Sequence, residues 1–191
     1  MIKIKNIVPL YCFLFSIFYG CNKADSPLTD TNRALHEKLA GDYRLETSFA
    51  NKEVDIDLNG TENRDMIKES GNFKNSKLWI SIDKNLLLFE QMWPEEYPFF
   101  YEGTILHVNF ANQGDIRTFK FKENNTQIVT DTITKTLNGI IIKSPPLSVK
   151  IIGNGKIEVV NKKMLYTNKG LEEVIFTSVY TYTGYNKVIF K

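Results

Sequence analysis

Asp55, Asp57, Asn59 and Gly60 open the stretch VDIDLNGTENRDM, residues 54–66, with an oxygen donor at every second position and then a glycine. That is the front half of a calcium loop, in which side-chain oxygens meet a hard cation, the glycine makes the turn and a bidentate carboxylate at the twelfth position completes the coordination. The twelfth position here is Met66, which does not ligate a hard cation; Asp65 stands one residue early and Glu69 three late. The expectation is therefore a polar turn with positive φ at Asn59-Gly60, running into a short helix through Lys68 capped by Asn63 or Asp65. Asp55, Asp57 and Asn59 are the residues a weakly held cation would use, and no metal or other cofactor is expected. Catalytic chemistry has little else to work with. His36 and His107 stand apart without zinc-ligand spacing, and the chain has no G-x-S-x-G elbow, Walker loop or dinucleotide fingerprint. A protein that is not an enzyme is expected.

The second unusual stretch is MWPEEYPFFYEG, residues 92–103. Two prolines argue against a regular central strand, because proline cannot donate to a ladder. The expectation is a proline-bent connection whose aromatics fill one end of the domain, or a loop that lids a pocket or docks a partner. Trp93, Tyr97, Phe99, Phe100 and Tyr101 are its ligand- or partner-binding candidates, and adjacent Glu95 and Glu96 are expected to face solvent on the bend.

Residues 1–20 carry Lys3 and Lys5 followed by an apolar run from Ile7 to Tyr19, too short for a membrane span of about 20 residues and suited to a secretory signal. The run ends in Gly20-Cys21 and a polar stretch, which resembles a bacterial lipoprotein signal. That resemblance implies cleavage before Cys21 and acylation of Cys21 with palmitate-type chains, each buried CH₂ contributing about 0.8 kcal/mol to a membrane anchor. The implied address is the bacterial cell envelope, lipid-anchored to the outer membrane, on its periplasmic or its surface face. Cys12 would leave with the signal, so the mature domain would have no disulfide and would rely on its core. The whole chain has 24 Lys plus Arg against 22 Asp plus Glu, and loss of Lys3 and Lys5 leaves 22 against 22. A neutral chain without a basic stripe offers nothing to nucleic acid.

Residues 21–32 are polar, contain Pro27 and read as a tether; residues 33–191 read as one domain. Leu35 and Leu39 share a face of a short N-terminal helix running through Ala40. From Asp42 the pattern becomes β: short runs rich in β-branched and aromatic residues, separated by turn residues such as Asn112-Gln113-Gly114 and Gly153-Asn154-Gly155. In RTFKFK, Phe119 and Phe121 alternate with Lys120 and Lys122, as in an antiparallel strand with one wet face. Many such strands at close spacing predict an all-β antiparallel barrel, whose closure would remove the edges that invite aggregation.

The opening Leu39-Ala40-Gly41-Asp42-Tyr43-Arg44-Leu45, the acidic loop and the hairpin-rich body resemble the lipocalin-like lipoproteins of Bacteroidota. This resemblance implies a lipocalin-like barrel, usually without a known ligand. It puts Gly41 and Tyr43 where lipocalins have Gly-x-Trp, so that Tyr43 would plug the closed end and Gly41 would let the chain enter tightly. Lys187 and Lys191 stand in place of the arginine that lipocalins stack on that tryptophan. Two functions remain open at this point: carriage of a small hydrophobic ligand inside the barrel, or a side-chain-filled barrel that docks a protein or a glycan through residues 92–103.

Overall fold

The computed structural model describes residues 30–83, 86–122, 125–131, 134–137, 140–143 and 145–184. Cys21, the expected signal, and Lys187 and Lys191 lie outside them. Helix α1 (Asp30–Leu39) begins inside the stretch expected as tether and leads into β1 (Gly41–Val54). An excursion follows, made of β2 (Asn63–Asp65), helix α2 (Met66–Glu69) and a 3₁₀ turn (Gly71–Asn75). The chain then runs through β3 (Lys77–Ile82), β4 (Leu87–Tyr101), β5 (Thr104–Lys122) and β6 (Gln127–Thr130). A separate hairpin, β7 (Thr134–Leu137) and β8 (Ile140–Lys143), precedes β9 (Ser148–Gly153), β10 (Lys156–Thr167) and β11 (Gly170–Gly184).

Eight strands close an antiparallel barrel in the order β1-β3-β4-β5-β6-β9-β10-β11, with β11 returning to pair with β1. The fold is thus the all-β antiparallel barrel that the alternation predicts, lipocalin-like as the resemblance implies, with a short N-terminal helix against one end. Closure is possible because β1 serves two neighbours: Gly41–Arg44 pair with β3 on one edge while Asp42–Ala50 pair with β11 on the other. Among the described residues no helix is long and apolar enough to cross a membrane.

The inward positions decide what the barrel holds. On four strands they run from apolar to polar to apolar: Tyr43, Ser48, Ala50 on β1; Phe89, Gln91, Trp93 on β4; Val159, Asn161, Leu165 on β10; Tyr180, Ser178, Phe176 on β11, all buried. Two apolar clusters therefore stand either side of a polar layer. The first gathers Tyr43, Leu78, Ile80, Phe89, Phe119 and Tyr180 under Leu39 and Ala40 at the end of α1. The second gathers Val54, Ile56, Met66, Phe73, Trp93 and Phe176. The polar layer is bonded within itself, Gln91 Nε2 donating to Tyr180 Oη at 2.9 Å and Ser48 Oγ lying 2.9 Å from Ser178 Oγ. Each such bond adds about 1 kcal/mol net, and breaking one would leave a buried partner unsatisfied at greater cost.

Two expectations about the strands are corrected. Residues 92–101 are not a bent loop: β4 runs through both prolines, paired with β5 from Leu88↔Thr118 to Tyr101↔Thr104. Pro94 and Pro98 are four residues apart, so both lack their N–H on the same edge, and β3 stops pairing with β4 at Met92. The missing donors thus fall on an edge with no ladder to complete. Asn112-Gln113-Gly114 is likewise no turn, because β4 supplies each residue with a partner, Met92↔Gly114 among them. At Gly114 a Cβ would lie 2.9 Å from Glu90 Oε1, the far end of a flexible side chain that can shift aside. The real turn is Glu102-Gly103, both at positive φ (46° and 81°), the requirement of a two-residue hairpin loop whose twist matches its strands.

Candidate functional sites

The β4–β5 hairpin sorts the five aromatic candidates into two groups. Trp93 is buried, stacked on Phe176 with ring centroids 4.3 Å apart and edge-on to Phe73 at 4.6 Å, so it belongs to the second core cluster. Tyr97, Phe99, Phe100 and Tyr101 lie further along β4 and are 47%, 52%, 49% and 59% exposed. Phe99 stacks on His107 of β5 at 5.1 Å, Phe100 meets Tyr166 of β10 edge-on at 5.8 Å, and Tyr97 Oη accepts from Gln113 Nε2 at 2.9 Å. Leu106 adds another exposed apolar side chain beside them. The hairpin thus presents aromatic surface held in place by its neighbours.

Glu95 and Glu96 are not the solvent-facing pair that was expected. Both are half-buried, each with a partner on β10. Glu95 pairs with Lys163 at 3.7 Å, and Glu96 Oε2 accepts from the backbone N–H of Tyr166 at 2.7 Å while Oε1 has no partner. Burial pushes the Glu96 carboxyl up to about 7, the Tyr166 N–H acting in the opposite direction.

The acidic loop folds as the expected polar turn, with a detail that spacing did not isolate. Asp55 is buried and accepts from the N–H groups of Asn59 and Gly60, both at 3.0 Å. The positive φ angles fall at Leu58 and Gly60, 58° and 87°, and not at Asn59 as expected. Asn59 turns back on its own loop, Nδ2 donating to Asp57 and Oδ1 accepting from Thr61 N–H. Asp65 caps α2 by accepting from Ile67 N–H at 3.1 Å, and Met66 enters the core. One turn of helix then brings buried Glu69 under the loop, where Oε1 accepts from Ile56 N–H at 2.7 Å. One carboxylate oxygen from each of Asp55, Asp57 and Glu69 falls within 4.8 Å of the others. Hard oxygen donors of this kind suit Ca²⁺ or Mg²⁺, and these three are the described residues that could share one. Burial, then the neighbouring Asp57 and Asp55 charges, push Glu69 up to about 7.

At the end of the barrel beside α1, Tyr43 is buried, donates its hydroxyl to Leu39 O at 2.7 Å and meets Tyr182 edge-on at 5.4 Å. Gly41 has φ +145°, and a Cβ there would lie 2.5 Å from Tyr182 Cε2 and 2.6 Å from Gly184 O. Within the barrel, a cleft in the polar layer has a volume of about 10 Å³. Outside it, a groove of about 520 Å³ runs between β1 and α2, with Phe49 and Ile67 on its floor and Glu46, Asp65, Lys68 and Lys74 around it.

Among the described residues the geometry defines a closed eight-stranded antiparallel barrel with two buried apolar clusters inside it and an aromatic hairpin. No family model matches the chain, and neither the curated proteins nor the solved structures contain one significantly similar to it.

Proposed function

We propose that this chain is a membrane-anchored lipoprotein of the bacterial cell envelope that acts by non-covalent binding, and that its binding surface is the β4–β5 hairpin. The observation that carries the reading is the contrast between interior and hairpin. Small-molecule pockets usually measure about 300–1,000 Å³, whereas the interior cleft measures about 10 Å³. Four aromatic side chains on the hairpin are instead about half exposed. Tyrosine and other aromatics anchor interfaces because they offer large area at a small cost in side-chain entropy. Carriage of a small hydrophobic ligand remains the second reading, and the groove of about 520 Å³ beside Phe49 and Ile67 is the site it would use.

The anchor rests on Gly20-Cys21 and the preceding apolar run. Cys21→Ser should abolish palmitate labelling and release the protein from membranes; a variant that stays membrane-bound without lipid would defeat this part. For binding, a photoreactive phenylalanine analogue at Phe99, compared with one at Lys120, should give a discrete adduct only from the hairpin position. Native mass spectrometry of protein from its own cells separates the two readings. A retained small molecule would favour the groove over the hairpin.

A further inference from the structure

One edge of β1 is paired only in part. Gly41–Arg44 pair with β3, and pairing resumes at Phe49, opposite Asp65 of β2. Between these points the described backbone bond on that edge is Leu45 N–H to Ser76 O at 3.3 Å. The chain that could have filled the gap forms β2, α2 and the 3₁₀ turn instead, and the groove of about 520 Å³ is left between them and β1. Thr47 and Phe49 line it from β1, and Ile67, Gly71 and Lys74 line it from the excursion.

Its floor is apolar and fixed. Phe49 is 50% exposed although strands pair on both sides of it, and Ile67 is packed against the second core cluster. The acids around the groove are already answered by other groups. Glu46 accepts from Lys156 Nζ at 2.8 Å and from the Thr181 hydroxyl. Asp65 accepts from Ile67 N–H at 3.1 Å and lies 3.8 Å from Lys68 Nζ. Lys74, by contrast, has no ion-pair or hydrogen-bonding partner among the described residues. Counted pair by pair, one positive charge is left over beside an apolar floor. An alkyl chain laid on Phe49 would take that ring out of water, and an anionic head would give Lys74 a charge-assisted bond. A neutral head would gain less, and a cationic head would be repelled.

We propose that the groove binds a single-chain amphiphile with an anionic head, of the fatty-acid type, its chain over Phe49 and Ile67 and its carboxylate on Lys74. This rests on the groove being a ligand site, the second reading above; it adds the chemistry of the head group and leaves the hairpin's role unchanged.

The test is an NMR titration of the full chain with decanoate, decanol and decyltrimethylammonium, each kept below the concentration at which it self-associates, following the backbone amides of Thr47 and Gly71. The expected result is a saturable shift of both amides, with decanoate bound at least tenfold more tightly than the other two. Lys74→Met keeps an apolar stem and removes the charge, so it should bring decanoate to the level of decanol, while Lys120→Met on β5 should not. Both lysines are exposed, so both variants keep the fold. Decanol bound as tightly as decanoate overturns the anionic assignment and leaves the groove as a site for neutral apolar ligands. A preference for decanoate that survives Lys74→Met overturns it as well, because the head then lies elsewhere. If none of the three shifts these amides saturably, the amphiphile and the second reading fall together, and photo-crosslinking from Phe99 still decides the hairpin.

Discussion

Replacing Glu96 with glutamine should change how stability depends on pH. In the fold its carboxyl is pushed up to about 7 by burial, and it has an ordinary value of 4.5. The folded state therefore binds the proton more tightly, so stability is greatest below the ordinary value and falls as pH rises toward the folded one. The gap sets an upper limit of about 3 kcal/mol at about 1.36 kcal/mol per unit, and solvent screening of a half-buried group reduces this to about 2 kcal/mol. The glutamine can still accept from Tyr166 N–H, but its NH₂ falls where Oε1 has no partner, a penalty that does not vary with pH. The informative quantity is consequently the stability difference between variant and parent, at about pH 8 minus that at about pH 5, which should be near +2 kcal/mol. Urea denaturation followed by tryptophan fluorescence would measure it. Glu69, pushed up to the same range, adds its own slope, which Glu96→Gln should leave in place and Glu69→Gln should remove. Parent and Glu96→Gln curves that run parallel across this range would refute the burial of a titrating Glu96.

The aromatic residues should separate by role. Trp93→Ala should cost about 3–5 kcal/mol in chemical denaturation because it empties a stacked core position, whereas Phe99→Ala should stay within about 0.5 kcal/mol of the parent and lose partner binding. Gly41→Ala should lower stability by about 2 kcal/mol or more, measured by urea midpoint, since the new Cβ meets Tyr182 and Gly184 at a φ that alanine disfavours. Calcium should leave the melting temperature unchanged, because oxygens of Asp55 and Glu69 already accept from backbone N–H groups. A rise that Asp57→Asn abolishes would establish a cation site instead.

The legible parts were local. Phe119 and Phe121 turn from solvent while Lys120 and Lys122 remain exposed, as their alternation requires. Asp65 caps its helix because its oxygen reaches an amide two residues on. The prolines were misleading because propensity reports whether a residue tolerates a ladder, and only the short reach of β3 shows that no ladder is needed there. Gly114 read as a turn for a similar reason: Asn-Gln-Gly marks a turn locally, and only the pairing with β4 shows that the chain there is extended strand.

The sequence alone therefore determined the β class, the alternation of buried and wet faces, the hairpin turn at Gly153-Asn154-Gly155 and the cap of α2, since each depends on residues within a few positions of one another. Tertiary structure decided the closure of β11 on β1, the polar layer between two apolar clusters, the burial of Trp93 apart from exposed Phe99, and the meeting of Glu69 with Asp55 and Asp57. Those features follow from which strands become neighbours and how far each extends. Alternation can say which way a side chain points, but only the assembled neighbours determine whether it meets water, a ring or another charge.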